Sequence, residues 1–187
     1  MTLPRSFYNR PTLDVARDLL GKVLVHRRRG VLTGGVIVEV EAYIGESDPA
    51  CHAAPGRTAR NRPLYGPPGF AYVYLNYGIH CLVNVVTEAK DFPAAVLIRA
   101  LDPLDGIPTM RRRRGRATNL CRGPGNLTMA MGITREQNEI DLLGSRLSIE
   151  DRGVKVGPVV WSPRIGISVG TDRMWRASVA GHPAVSK

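Results

Sequence analysis

The hydrophobic pattern changes period early in the chain. Behind Thr12, the residues Val15, Leu19 and Leu20 recur at helical spacing and Gly21 ends the run. This predicts a short helix capped by Thr12. From Lys22 the pattern turns to strand-like apolar runs, and Arg29-Gly30 interrupts it. "KVLVHRRRGVLTGGVIVEVEAYIG" therefore predicts two strands around a tight turn. In the second strand Val36, Val38, Val40 and Ala42 share one face, and Ile37, Glu39, Glu41 and Tyr43 share the other. Residues 45–70 are rich in Gly, Pro and polar groups and predict a loop carrying Arg57, Arg60 and Arg62. "AYVYLNYGIHCLVNVV" predicts strand, turn and strand, with Asn76, Tyr77 and Gly78 at the turn.

"AAVLIRAL" predicts a further strand, apolar except for Arg99. "DGIPTMRRRRGR" predicts a helix with a basic end, and "GPGNLTMAMGI" one that opens near Pro124. "RLSIED" and "RIGISVG" are later strand candidates. There is no internal repeat and no linker. The expected architecture is α+β: one domain over residues 1–187, with a curved, largely antiparallel sheet, a protruding β-hairpin and surrounding short helices.

Charge narrows the class of partner. Lys and Arg number 26 against 16 Asp and Glu, a formal net charge of +10. Only Lys22, Lys90, Lys155 and Lys187 are lysines. Such a balance points to a polyanion, and the Arg preference favours bidentate phosphate contacts. Cys51, Cys81 and Cys121 are far apart and form no CxxC, so neither a zinc knuckle nor a disulfide framework is indicated. No GxGxxG, Walker A or HExxH occurs, which removes the common nucleotide-binding and zincin readings. The start "MTLPRSFYNRPT" has no apolar signal-peptide core, and no run approaches a membrane span. The expectation is a soluble, cytoplasmic protein.

Against that charge, two carboxylates on one strand face need explaining. Glu39 and Glu41 would sit about 7 Å apart. They could form a solvated face. They could hold Mg²⁺ with Asp48 or His52, as in a nuclease. Or one could be a general base that activates water against a glycosidic carbon. Arg99, in its apolar strand, needs a buried partner, and Glu39 or Glu41 would suit and would stay ionised beside it. Tyr77 at a hairpin tip either folds back on its sheet or enters a nucleic-acid groove as a wedge. Tyr43, Tyr72 and Tyr74 suit either cross-strand packing or a stacking platform for a base.

"PTLDVARDLLGKVLV", "EVEAYIGESDPACHA", "TARNRPLYGPPGFAYVYLNYGIHCLVNVVT", "AVLIRALDPLDG" and "LCRGPGNLTMAMGI" together resemble the alkyladenine (3-methyladenine) DNA glycosylase family in its bacterial form, from about residue 4 to residue 180. The resemblance implies a monofunctional base-excision enzyme, acting as a monomer on double-stranded DNA at the nucleoid, with no metal or cofactor. It would flip alkylated or deaminated purines (3-methyladenine, 7-methylguanine, hypoxanthine, ethenoadenine) and hydrolyse the N-glycosidic bond. By motif, Glu41 would activate the water, and Arg99 would help hold that water and orient Glu41, with the backbone of Ile165 as a further contact. Tyr43, His52 and Tyr74 would line the base pocket, and Asn84 would disfavour the exocyclic amine of guanine. Tyr77 would fill the gap left by the flipped nucleotide. The family pattern differs at Leu64, Asn76 and Ile79, and it gives Glu39 no role. None of the four lysines falls in a motif, which agrees with hydrolysis rather than Schiff-base lyase chemistry. A metal-dependent nuclease and a non-catalytic nucleic-acid-binding module are the alternatives.

Overall fold

The computed structural model describes residues 1–186. Helices α1 (Arg5–Tyr8) and α2 (Thr12–Leu19) open the chain. Thr12 is the first helical residue rather than the cap, and Pro11 precedes it. The Glu88 carboxylate takes over the capping, accepting from the Thr12 amide at 2.7 Å and its hydroxyl at 2.8 Å. Val15, Ala16 and Leu19 face the main core with no exposed surface. Val15 and Leu19 each contribute roughly 1.5–3 kcal/mol of burial. Leu20 falls just past the helix, and Gly21 adopts φ +86°.

Strands β1 (Val23–Arg28) and β2 (Val31–Ile44) pair around Arg29-Gly30, as expected. Both turn residues have positive φ, the signature of a type I′ hairpin turn. A short 3₁₀ turn at Arg62–Tyr65 interrupts the long loop that follows. Then come β3 (Ala71–Asn76), β4 (His80–Val86) and β5 (Ala94–Asp105). Asn76 pairs with His80, so it belongs to the ladder and the turn is Tyr77, Gly78 and Ile79. Helices α3 (Ile107–Arg114) and α4 (Pro124–Met131) follow, then β6 (Leu147–Glu150), β7 (Val159–Ser162) and β8 (Arg176–Val179).

Every strand pairing is antiparallel, and the sheet curls into a half-barrel. The order is β3-β4-β5-β2-β1-β6, with β8 paired to both β2 and β7. Thus β2 pairs with β5 along one edge, while β1 and β8 share its other edge. The α+β expectation holds. One strand candidate does not: the segment "RIGISVG" forms bends between β7 and β8. Ile165, Ile167 and Val169 mimic strand alternation, but Gly166 and Gly170 take positive φ and break it.

The face assignment of β2 also needs correction. Ile37 packs in the main core with Val36, Val38 and Val40, instead of beside the glutamates. The register against β5 shifts on both sides of Glu39. Such an irregularity resets alternation and re-aims the side chains beyond it. A second, smaller cluster of Cys51, Ala53, Leu64, Tyr65, Tyr72, Val86 and Ala95 underlies Tyr43 and Tyr74.

Candidate active site

Glu39 lies within the register shift and Glu41 just beyond it, and both are fully buried. A solvated pair of surface charges is therefore ruled out. Arg99, in the facing strand β5, reaches both: Nε lies 3.0 Å from Glu39 Oε1 and Nη1 lies 3.2 Å from Glu41 Oε1. An arginine in an apolar strand finds its countercharge here, as burial demands. Glu41 Oε1 also accepts the Ile165 backbone amide at 2.7 Å, and Glu41 Oε2 accepts the Tyr43 hydroxyl at 2.8 Å. A neighbour on the same strand and two segments distant in sequence thus fix one carboxylate.

Those three partners, Tyr43, Arg99 and Ile165, line a cavity of about 400 Å³. This lies within the roughly 300–1,000 Å³ typical of small-ligand sites. Glu41 sits directly behind them. His52, Tyr72, Tyr74, Leu82 and Asn84 supply other walls, and Asn76 and Tyr77 reach its edge. The His52 and Tyr74 rings meet edge to face with centroids 4.5 Å apart. Tyr72 and Tyr74 are tilted at 5.2 Å, so they do share a face. Tyr72 Oη and His52 Nδ1 are hydrogen-bonded at 2.8 Å. Burial, aided by Arg60, lowers the His52 pKa, which keeps the imidazole neutral at pH 7. Burial and the Glu41 charge push the Tyr74 phenol up to about 12, and burial and Glu41 raise Tyr43 as well. All these phenols keep their protons. The Asn84 side-chain amide donates to the Tyr72 carbonyl at 3.1 Å. Tyr77 stands at the hairpin tip, 89% exposed, and does not fold back on its sheet.

Every site residue expected from the sequence therefore belongs to, or borders, one cavity. Two further constellations carried no usable sequence signal. Asp48 and Arg164, 116 residues apart, form a bidentate ion pair at 2.7 and 2.8 Å with both side chains fully buried. The Arg164 guanidinium also donates to the Ala42 carbonyl and lies 4.6 Å from the Tyr43 ring and 5.2 Å from the Trp175 ring. This packing anchors the backbone that presents the Ile165 amide. Burial alone would raise the Asp48 carboxyl, but Arg164 and the Ile44 and Ala50 amides hold it below its ordinary value. The second constellation joins Glu39 to Arg176 and Ser186.

The nuclease alternative needs Glu39, Asp48 or His52 beside Glu41 as cation ligands. Glu39 is spent on arginines and Ser186, Asp48 on Arg164, and His52 Nδ1 on Tyr72. No group of three or more His, Cys, Asp or Glu converges among the described residues. The donor set suits organic chemistry at Glu41 better than cation binding. No helix of the described residues is long and apolar enough to cross a membrane.

The sequence profile described as "Methylpurine-DNA glycosylase (MPG)" matches residues 6–183. A protein of Methanocella arvoryzae is 50% identical over 192 residues, covering 99% of this chain and 96% of its own. One of Rubrobacter xylanophilus is 51% identical over 165 residues, covering 88% and 86%. One of Clostridium acetobutylicum is 44% identical over 200 residues, covering 100% and 98%. Each bears the name "Putative 3-methyladenine DNA glycosylase". With a matching profile over nearly its whole length and relatives this similar, the chain belongs to the methylpurine-DNA glycosylase family, DNA glycosylases of base-excision repair.

Proposed function

We propose that the cavity receives a damaged purine flipped out of duplex DNA and that Glu41 activates the water that hydrolyses its N-glycosidic bond. The observation that carries this reading is the Glu41 carboxylate, buried behind the cavity wall and fixed by Ile165 N–H, Arg99 and the Tyr43 hydroxyl. As the glycosidic bond breaks, its electron pair leaves with the base and the sugar becomes oxocarbenium-like. Water oxygen bonds to C1′ while Glu41 takes up its proton. A carboxylate held away from bulk solvent both accepts that proton and stabilises the cationic sugar. 3-Methyladenine and 7-methylguanine leave readily because their nucleosides are already cationic.

The cavity walls support a purine. Tyr43, Tyr74 and His52 offer ring faces and edges. In the tautomer in which Tyr72 donates to Nδ1 of the neutral imidazole, Nε2 of His52 carries the proton and can donate to the base edge. Asn84 borders the space where the exocyclic amine of guanine would intrude. Tyr77 at the hairpin tip fills the gap in the stack, and the net charge of +10 favours the phosphates. The substrates are 3-methyladenine, 7-methylguanine, hypoxanthine and ethenoadenine in double-stranded DNA. The whole chain works as one monomeric domain, as a hydrolase without lyase activity.

The test is to incubate duplexes bearing each lesion with the protein in EDTA, then cleave abasic sites with alkali. The reading expects alkali-dependent breaks in EDTA, loss of base release in Glu41→Gln, and retained binding of lesion duplex by that variant. Strand breaks that vanish in EDTA would support a nuclease. Base release surviving in Glu41→Gln would remove Glu41 from the chemistry.

A further inference from the structure

Glu39 takes no part in the reaction above, yet it is fully buried and accepts four hydrogen bonds. Oε1 accepts from Arg99 Nε at 3.0 Å, Arg176 Nε at 2.7 Å and the Ser186 hydroxyl at 2.7 Å. Oε2 accepts the Ser186 amide at 2.7 Å. Ser186 in turn accepts from Arg99 Nη2 at 3.3 Å, and its carbonyl accepts from Arg176 Nη2 at 3.3 Å. One carboxylate thereby ties β5, β8 and the C-terminal segment together, beside the carboxylate proposed to do the chemistry.

An arginine that meets a single carboxylate tends to give it two parallel N–H groups. Here the guanidinium is divided: Glu39 takes Nε, and only Nη1 is left for Glu41. Charge follows the same division. Glu39 and Glu41 face Arg99 and Arg176, two carboxylates against two guanidiniums, and Arg176 is the backbone register partner of Glu41 on β8.

We propose that Glu39 is a positioning residue for Glu41: it turns Arg99 so that only Nη1 approaches Glu41, as an ion pair, and its charge offsets the two arginines that would otherwise weaken Glu41 as a base and as a counterion to the sugar. This rests on the role given to Glu41. The other groups that act on Glu41 are the Tyr43 hydroxyl from its own strand, Tyr74 from β3, and the Ile165 amide and Arg164 charge from the bends between β7 and β8. None of these is a hydrogen-bond partner of the Glu39 or Arg176 side chain.

The proposal makes opposite demands on two variants. Glu39→Gln removes a negative neighbour, so the Glu41 carboxylate becomes easier to ionise. Its titration, followed by carboxyl-carbon NMR, moves to lower pH, and so does the acid limb of single-turnover purine release. The release rate at pH 7 falls about tenfold, a loss of about 1.4 kcal/mol in transition-state stabilisation. Arg176→Gln removes a positive neighbour and moves both observables to higher pH. Binding of lesion duplex stays within about twofold in both. A merely structural role for Glu39 would lower stability without moving the two titrations apart. Titrations that stand still, or that move the same way in both variants, overturn the proposal. Should Glu39→Gln fail to fold, Arg176→Gln decides alone, and an unmoved or lowered Glu41 titration overturns it. A wild-type protein that releases no purine, while the titrations separate as stated, overturns the glycosylase mechanism and leaves the Glu39 tuning standing.

Discussion

Asp48 and Arg164 meet through two parallel hydrogen bonds in a fully buried pair, and the very next residue after Arg164 delivers its amide to Glu41. Breaking a buried pair strands the surviving charge, which typically costs about 3–5 kcal/mol. Arg164→Met is therefore expected to lower the thermal midpoint sharply. It should also lower single-turnover purine release, because the Ile165 amide loses its support. Asp48→Leu combined with Arg164→Met removes both charges, and the double variant should lose clearly less stability than the two single losses added together. Urea unfolding of the four proteins in the cycle checks this, and strict additivity would show that the pair is not coupled.

Buried His26 and half-buried His52 predict how stability responds to mild acid. Burial and Arg60 lower His52. Burial, with Arg113, Arg28 and Arg146, lowers His26 despite its bond to the Met131 carbonyl. In each case the unfolded chain, titrating near 6.5, takes up its proton before the folded one does. Stability is therefore fully present above about pH 6.5 and declines as pH falls below it, by at most about 1.4 kcal/mol per unit for each histidine. Asp48 and Glu39, both held below their ordinary values, contribute above their unfolded values near 4 and begin to fail only in stronger acid. Urea midpoints measured at pH 7.5, 6 and 5 should fall, and replacing both histidines with Gln should flatten the trend.

The sequence was most legible where local chemistry decides. Arg29-Gly30 and Tyr77-Gly78 marked hairpin turns because each places glycine where positive φ is needed. Glu41 and Arg99 stood out as charges in apolar strands, and burial requires such charges to meet. The role of Ile165 came only through family resemblance, because a backbone amide leaves no trace in residue type. Asp48 and Arg164 were opaque as a pair, since 116 residues separate them. The segment 164–170 imitated a strand, because alternation alone does not reveal that Arg164 is tied to Asp48. Glu39 looked equivalent to Glu41 until the register shift around it and the approach of Arg176 and Ser186 set them apart.

Gly125, in the first turn of α4, leaves no room for a methyl group. A Cβ there would lie 2.8 Å from His80 Cγ and 2.9 Å from its Cβ. His80 pairs with Asn76 at the base of the Tyr77 turn, so this contact sets where the hairpin tip stands. Alanine is the better helix former by about 1 kcal/mol, which offsets part of the clash. Gly125→Ala is thus expected to keep its fold but displace the tip and weaken binding of lesion duplex. Adding His80→Ala opens the space and should restore that binding. Equal binding by wild type and Gly125→Ala would show that the tip position is not set here.

Tyr77 itself combines two costs with no return inside the folded chain. It is 89% exposed, and its φ of +47° is one that a bulky side chain rarely adopts. Tyr77→Gly should leave stability unchanged or raise it slightly, since glycine takes positive φ freely. Tyr77→Asn, which tolerates the same conformation, should behave alike. Both should weaken binding of lesion duplex about tenfold or more, because nothing then fills the gap behind a flipped nucleotide, while single-stranded lesion DNA, which has no such gap, should bind nearly as before. Thermal melts beside duplex and single-strand titrations separate these effects. Equal losses on the two substrates would make Tyr77 a general contact with DNA rather than a wedge, and the strain at the hairpin tip would then need another explanation.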